Sequence, residues 1–318
     1  MERLRQLGTG PVLVISFRYH LVSIIAVFLA LALGIVVGTT ALNGPITTDL
    51  RKQVNTLKGD RTTLANQVKS LQRQVSDAGQ FAASFGSQLV QATLTKQSVL
   101  LVGLPGARSS VEDGITKQIE AAGGKVSGHL ELTDAYIDPR RANDITSLVT
   151  SGVHPNGLTL PVVSDAGQLG GALLAFVLLG KGEATDLRAV LSGFSALHMV
   201  SDAGNAVTPS TTVVVVSTGA LKSANYAAAS ELALVSALQG AGGHVVVAGD
   251  SASATQAGVV AGVRGASGDK ATVSTVDNAD TAIGQVSTVL ALADITKSTV
   301  GHYGTAKSAD ALFPNPSK

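Results

Sequence analysis

The residues that could do chemistry are thinly spread. The histidines are His20, His129, His154, His198, His244 and His302, each far from the others, and the methionines are Met1 and Met199. Soft metal ions recruit thiolate or thioether, and harder divalent ions recruit imidazole beside nitrogen or oxygen. His198-Met199 and His302-Tyr303 come nearest to such a pairing, and His20 has no partner at ligand spacing, so an ordinary packed histidine is expected at each. Cysteine is absent, which excludes disulfides, iron–sulfur clusters, thiolate zinc sites and thiol catalysis. No G-x-S-x-G elbow occurs and the carboxylates are too diffuse to nominate an acid–base pair. The expectation is a protein that is not an enzyme and has no cofactor.

Three glycine-containing loops are candidate anion sites. "VGLPGARSS" lacks both G-x-G-x-x-G and the Lys-Ser/Thr of a phosphate loop. "VSTGALKSAN" puts Lys222 and Ser223 beside a helix start, where free N–H groups hold anions, although a tight turn alone explains its glycine. "VVAGDSASA" ends a strand at Asp250, at the edge where open α/β sheets bind ligands, but Asp there is also a routine helix cap.

The elements that must position these groups begin with an apolar run. From Leu21 to Thr40 there is no charge, and only Ser23, Thr39 and Thr40 are polar. Twenty helical residues reach roughly 30 Å, the depth of a bilayer's hydrocarbon core. Arg18, Tyr19 and His20 then form a collar at headgroup depth, the arginine reaching phosphates and the two rings sitting at the interface. An uncleaved anchor over 15–40 is expected; a signal sequence cleaved near Ala41 is the alternative, against which stand the length of the run and the lack of an A-x-A site. A flexible tail is expected over 1–14, with a true start near Val14 as the alternative. Arg3, Arg5 and Arg18 before the span balance Arg51, Lys52 and Lys58 after it. The expectation that the chain beyond Thr40 is extracytoplasmic therefore rests on the shortness of the tail, and inner and outer membrane stay open.

After a break expected at Asn43-Gly44-Pro45, a stalk is expected over 46–78. Leu50, Leu57, Leu64 and Leu71 recur every seven residues, and Val54, Arg61, Val68 and Val75 fill the alternate seam positions. Leucine at d with valine at a favours two parallel strands, with Arg61 setting register at some cost. Self-association as a parallel dimer or higher oligomer is expected; an amphipathic helix packed on its own domain is the alternative.

From 95 to 300 the pattern becomes α/β. Strands are expected at Ser98–Leu104, Lys125–Leu132, Thr211–Leu221, His244–Asp250 and within "KATVSTVD", with helices between them. Ser110 is the expected cap of the first helix and Gly123-Gly124 its stop. Near-continuous valine runs indicate parallel strands covered on both faces, so the expected fold class is α/β, a doubly wound, mostly parallel sheet behind one transmembrane helix and a coiled coil. A membrane barrel is excluded by the intervening helices. Leu169–Leu179 is too short to span and reads as a buried helix. Residues 301–318 are expected to be a C-terminal tail. Net charge is +1, basic residues are scattered and tryptophan is absent, so no nucleic-acid surface is expected.

Two stretches carry a resemblance. "ISFRYHLVSIIAVFLALALGIVVGT" from Ile15 and "STVDNADTAIGQVSTVLALADI…VGHYGT" from Ser274 to Thr305, with "TTVVVVSTGAL" between them, resemble the actinobacterial MctB copper-transport family, over residues 15 to about 305. The resemblance implies an envelope protein that keeps intracellular copper low, described for the family as an outer-membrane pore. Copper enters as a transported ion. The matching motifs contain only His20 and His302, and no ligand role follows for either. The reading is therefore an envelope-anchored copper efflux protein contributing to copper tolerance, partnered by membrane and by itself. The alternative is a bitopic coiled-coil scaffold that organises the envelope, with a ligand-binding or degenerate enzyme domain at the carboxyl edge of the sheet ranked last.

Overall fold

The computed structural model describes residues 17–152, 154–202, 207–219, 226–255 and 257–315, without the side chains of 40–47 and 202. The expected tail 1–14, and Lys222 and Ser223, lie outside the described residues. The chain divides into two units, Met1–Gln74 and Val75–Lys318.

The described part of the first unit belongs to one helix, α1, which runs Phe17–Leu89. The expected break is not there: the backbone stays helical through 43–45. Pro45 lacks an N–H and forfeits one ladder bond, a local cost of about 3 kcal/mol. Helix propagates strongly on both sides, through an apolar run and a Lys/Gln/Leu-rich one, and carries across it. The stretch Phe17–Thr39 has a mean hydropathy of 2.9 and is long and apolar enough to cross a membrane. Thr39 costs it little, because its hydroxyl donates back to the Ile35 carbonyl at 2.9 Å.

The second unit is built on a seven-stranded sheet. Its strands are β1 (Ser98–Gly103), β2 (Lys125–Leu132), β3 (Val200–Asp202), β4 (Thr212–Val216), β5 (His244–Ala248), β6 (Ser274–Val276) and β7 (His302–Tyr303). They lie in the order β3-β2-β1-β4-β5-β6-β7, parallel except where β3 runs antiparallel to β2. The valine runs do what such runs require: alternate residues enter opposite cores. Leu100, Val102, Val213, Val215, Val245 and Val247 face one layer, and Val99, Leu101, Val214, Val216, Val246 and Ala248 face the other.

The first layer holds α3 (Ala142–Ser151), α4 (Ala166–Leu178), α5 (Ala184–Ala196), α6 (Tyr226–Gly240) and α7 (Val259–Gly265). The second holds α2 (Ser109–Ala121) and α9 (Ala282–Ile295), joined by Val90 and Leu94. The short α8 (Ser267–Lys270) follows α7. The expected buried helix at Leu169–Leu179 is α4, whose Gly171 lets the α6 backbone approach: a Cβ there would lie 3.1 Å from the Leu234 Cα.

The sheet departs from the doubly wound expectation at both ends. β3 is antiparallel. The step from β6 to β7 runs in the same direction as that from β4 to β5, yet α9 lies on the face opposite α6. The last crossover therefore has the opposite hand to the β4–α6–β5 crossover, against the strong right-handed rule. β7 also corrects the expected tail at 301–318, since it is paired with β6 and buried. Ser110 does not cap α2. Arg108 holds the N-cap position with no side-chain cap bond, its guanidinium drawn instead to Asp250.

Candidate functional site

Arg18, Tyr19 and His20 form the first turn of the described α1 and are exposed. Along the same helix, from Leu50 to Val75, the apolar seam residues are left between 43% exposed (Val54) and 68% exposed (Val75), with Arg61 exposed among them.

The densest buried chemistry lies where β6, β7 and α7 meet. Arg264, in the last turn of α7, and Asp277, directly after β6, form an ion pair at 2.8 Å with side chains 3% and 0% exposed. A buried pair persists only when the remaining donors and acceptors are satisfied. Arg264 also donates from Nε to the Thr275 hydroxyl at 2.8 Å, from Nη1 to the Ser308 hydroxyl at 3.0 Å and from Nη2 to the Tyr303 carbonyl at 2.9 Å. Asp277 accepts from the backbone N–H groups of Thr305 at 2.6 Å and Ala306 at 3.2 Å. Gly304 makes that approach feasible: its φ is +130°, and a Cβ there would lie 2.2 Å from the Asp277 Oδ1.

The same network settles the state of His302. Its Nε2 faces the Lys270 carbonyl at 3.1 Å, an acceptor only, so Nε2 carries the proton. The Thr275 hydroxyl, already accepting from Arg264, donates to Nδ1 at 2.9 Å. Burial, first among the causes, pushes this imidazole below its ordinary pKa. Both ring nitrogens are spoken for, so the His302-Tyr303 pair is a structural latch and not an open ligand set.

At the carboxyl edge of the sheet, Asp250 caps a 3-10 turn, Ser251–Ala254, by accepting from the Ser253 N–H at 3.0 Å. It also accepts from the Gly219 N–H at 3.0 Å and from Arg108 at 2.8 Å, so the cap reading of Asp250 holds. Nearby lies a second close pair, one partner buried and the other partly so, that no sequence motif announces. Glu112 in the first turn of α2 is 2% exposed and its Oε2 stands 3.8 Å from the Nε2 of His129 on β2. Burial pushes the Glu112 carboxyl up to about 7, helped by the negative charges of Glu131 and Asp113. Burial likewise lowers His129. Gly103 provides the space: a Cβ there would lie within 2.4 Å of the Glu112 Oε1.

The other sequence candidates are not brought together. Met199 is fully buried in the first core layer, while His198 is exposed with φ +55°. Among the described residues no group of three His, Cys, Asp or Glu side chains is arranged to hold a metal ion.

The two ends of the chain that carry distinct sequence, the apolar start of α1 and the Gly301–Gly304 latch, fall within one match. A family model described as "Copper transport outer membrane protein, MctB" covers residues 14–314. The chain belongs to the MctB family. It is 31% identical over 306 residues to the copper transporter MctB of Mycobacterium tuberculosis (strain H37Rv), covering 93% of this chain and 98% of that one. It is equally similar to the copper transporter MctB of Mycobacterium bovis, and 29% identical over 312 residues to that of Mycobacterium leprae. The MctB match embraces α1, the whole sheet and the Arg264–Asp277–His302 latch.

Proposed function

We propose that this chain is an envelope-anchored protein of copper transport that contributes to copper tolerance by efflux and works as a self-associated assembly. The observation that carries the proposal is the full-length relationship to proteins named as copper transporters, over 93% of this chain. Phe17–Thr39 supplies the anchor, with Arg18, Tyr19 and His20 at its interface and the sheet on the extracytoplasmic side. Copper is cargo in this reading, and the α/β unit has no enzymatic role.

Self-association is supported by the energetics of the stripe. Seven leucines and valines stand about half exposed from Leu50 to Val75. At about 1.5–3 kcal/mol for a fully buried side chain, a pair of chains would gain about 12–24 kcal/mol, against roughly 4–15 kcal/mol for association. The same stripe favours a second reading, a bitopic scaffold whose coiled coil docks other envelope proteins.

Flux separates the two. The purified full chain is reconstituted into lipid vesicles loaded with a copper-sensitive dye, and copper entry is timed. A transporter gives protein-dependent entry; entry equal to empty vesicles leaves the scaffold.

A further inference from the structure

Beside the final turns of α1, the second unit carries an apolar groove of about 480 Å³. Phe81, Phe85 and Leu89 line it from α1, Val286 and Leu290 from α9, and Phe313 from the C-terminal segment. In a chain with 3% aromatic residues, three phenylalanines lie open here, Phe81 at 64% exposed. The rings of Phe81 and Phe85 stack 4.7 Å apart, tilted at 38°. Single exposed apolar residues are ordinary, whereas a contiguous apolar patch marks a binding surface.

The heptad count says what covers it. Continued in steps of four and three past Val75, the seam passes through Ala78, Ala82, Phe85 and Leu89, and all four line the groove. Gly86 fixes the rotation of this stretch against its own unit: a Cβ there would stand 2.5 Å from the Val286 side chain. With that face spent on α9, the a and d residues remain on the open side. The register is also self-complementary in charge, because Asp60 sits at g beside Arg61 at a, adjacent positions across a parallel pair. Ten large apolar side chains from Leu50 to Leu89, each about half exposed, offer on the order of 900 Å² per chain, and a stable interface needs roughly 800 Å² per partner.

We propose that this groove is occupied by the 75–89 segment of a second copy of this chain, so that the dimer contact reaches α9 and the C-terminal segment. The proposal rests on the self-association reading above. Its consequence is that Leu312-Phe313, held beside the groove by the latch at β7, belongs to the interface.

The absence of cysteine makes the test clean. Full-length chains carrying Ala78→Cys, Leu57→Cys or Gln80→Cys, the last on the opposite side of the helix, are oxidised with diamide in the membrane and run on non-reducing gels. Disulfides form where Cα atoms lie about 4.4–6.8 Å apart. The expected result is at least tenfold more covalent dimer from Ala78→Cys than from Gln80→Cys, with Leu57→Cys also positive. Cross-linking of Leu57→Cys without that of Ala78→Cys overturns the groove proposal alone and leaves the groove to another occupant. Failure of both overturns self-association itself.

Discussion

Replacing Asp277 by alanine removes the counter-ion of an arginine whose side chain is only 3% exposed. Removing one member of a buried pair costs about 3–5 kcal/mol, because the remaining charge stays desolvated. Here the stranded guanidinium keeps three neutral acceptors, Thr275, Ser308 and the Tyr303 carbonyl, which places the loss at the lower end of that range. Two backbone donors, Thr305 and Ala306, lose their acceptor as well. The β6–β7 pairing is the point of failure, and its amides report on it: the Thr275 N–H donates to Gly301 and the Asp277 N–H to Tyr303. Hydrogen exchange of the full chain in detergent should show the Thr275 amide opening about 100-fold faster or more in Asp277→Ala. The double variant Arg264→Met/Asp277→Ala should recover about 1–3 kcal/mol of the loss, since no unpaired charge remains. An exchange rate within tenfold of the parent, or a double variant no better than the single, would refute the claim that this pair locks β7.

Gly304→Ala attacks the same latch from the backbone. It combines a left-handed-side φ with a Cβ 2.2 Å from the Asp277 carboxylate, and thermal melts should show a loss of at least about 2 kcal/mol. Stability should also depend on pH through Glu112, raised to about 7, and Glu231, raised to about 8, both by burial. A carboxyl whose folded pKa lies above its unfolded value binds more protons folded than unfolded, so its contribution is lost as pH rises from about 4.5 to its folded pKa. His129, lowered by burial, opposes this only below its ordinary 6.5. Denaturant midpoints should therefore fall between pH 6.5 and 8, and Glu112→Gln should flatten the fall and stabilise the protein above pH 7 by about 2–3 kcal/mol. Leu57→Glu with Leu64→Glu should abolish self-association in analytical ultracentrifugation while leaving the exchange protection of β4 and β5 intact.

The sheet was legible because its central strands are near-continuous Val/Leu runs, which call for burial on both faces. β3 and β7 were not, because strands of three and two residues carry no periodicity and are held by partners outside themselves. β7 forms through Arg264, Thr275, Asp277 and Ser308, which come from three separate stretches of chain, so no local pattern announces it. Glu112 was not among the sequence candidates, because the space its carboxyl occupies is left open by Gly103, on a different element. The heptad pattern stands out in the sequence to Val75 and is diluted beyond it, since Ala78 and Ala82 are too small to mark heptad positions. Pro45 misled for a different reason: a proline penalty is local, and a helix continuing on both sides absorbs it.

The central claim, that this MctB-family chain serves copper transport, is tested most directly by total cell copper after modest copper exposure, measured by mass spectrometry in the parent, a deletion strain and the complemented strain. Accumulation in the deletion strain, reversed by complementation, is the predicted result. Equal copper in all three would contradict it and leave the scaffold as the function of the seam.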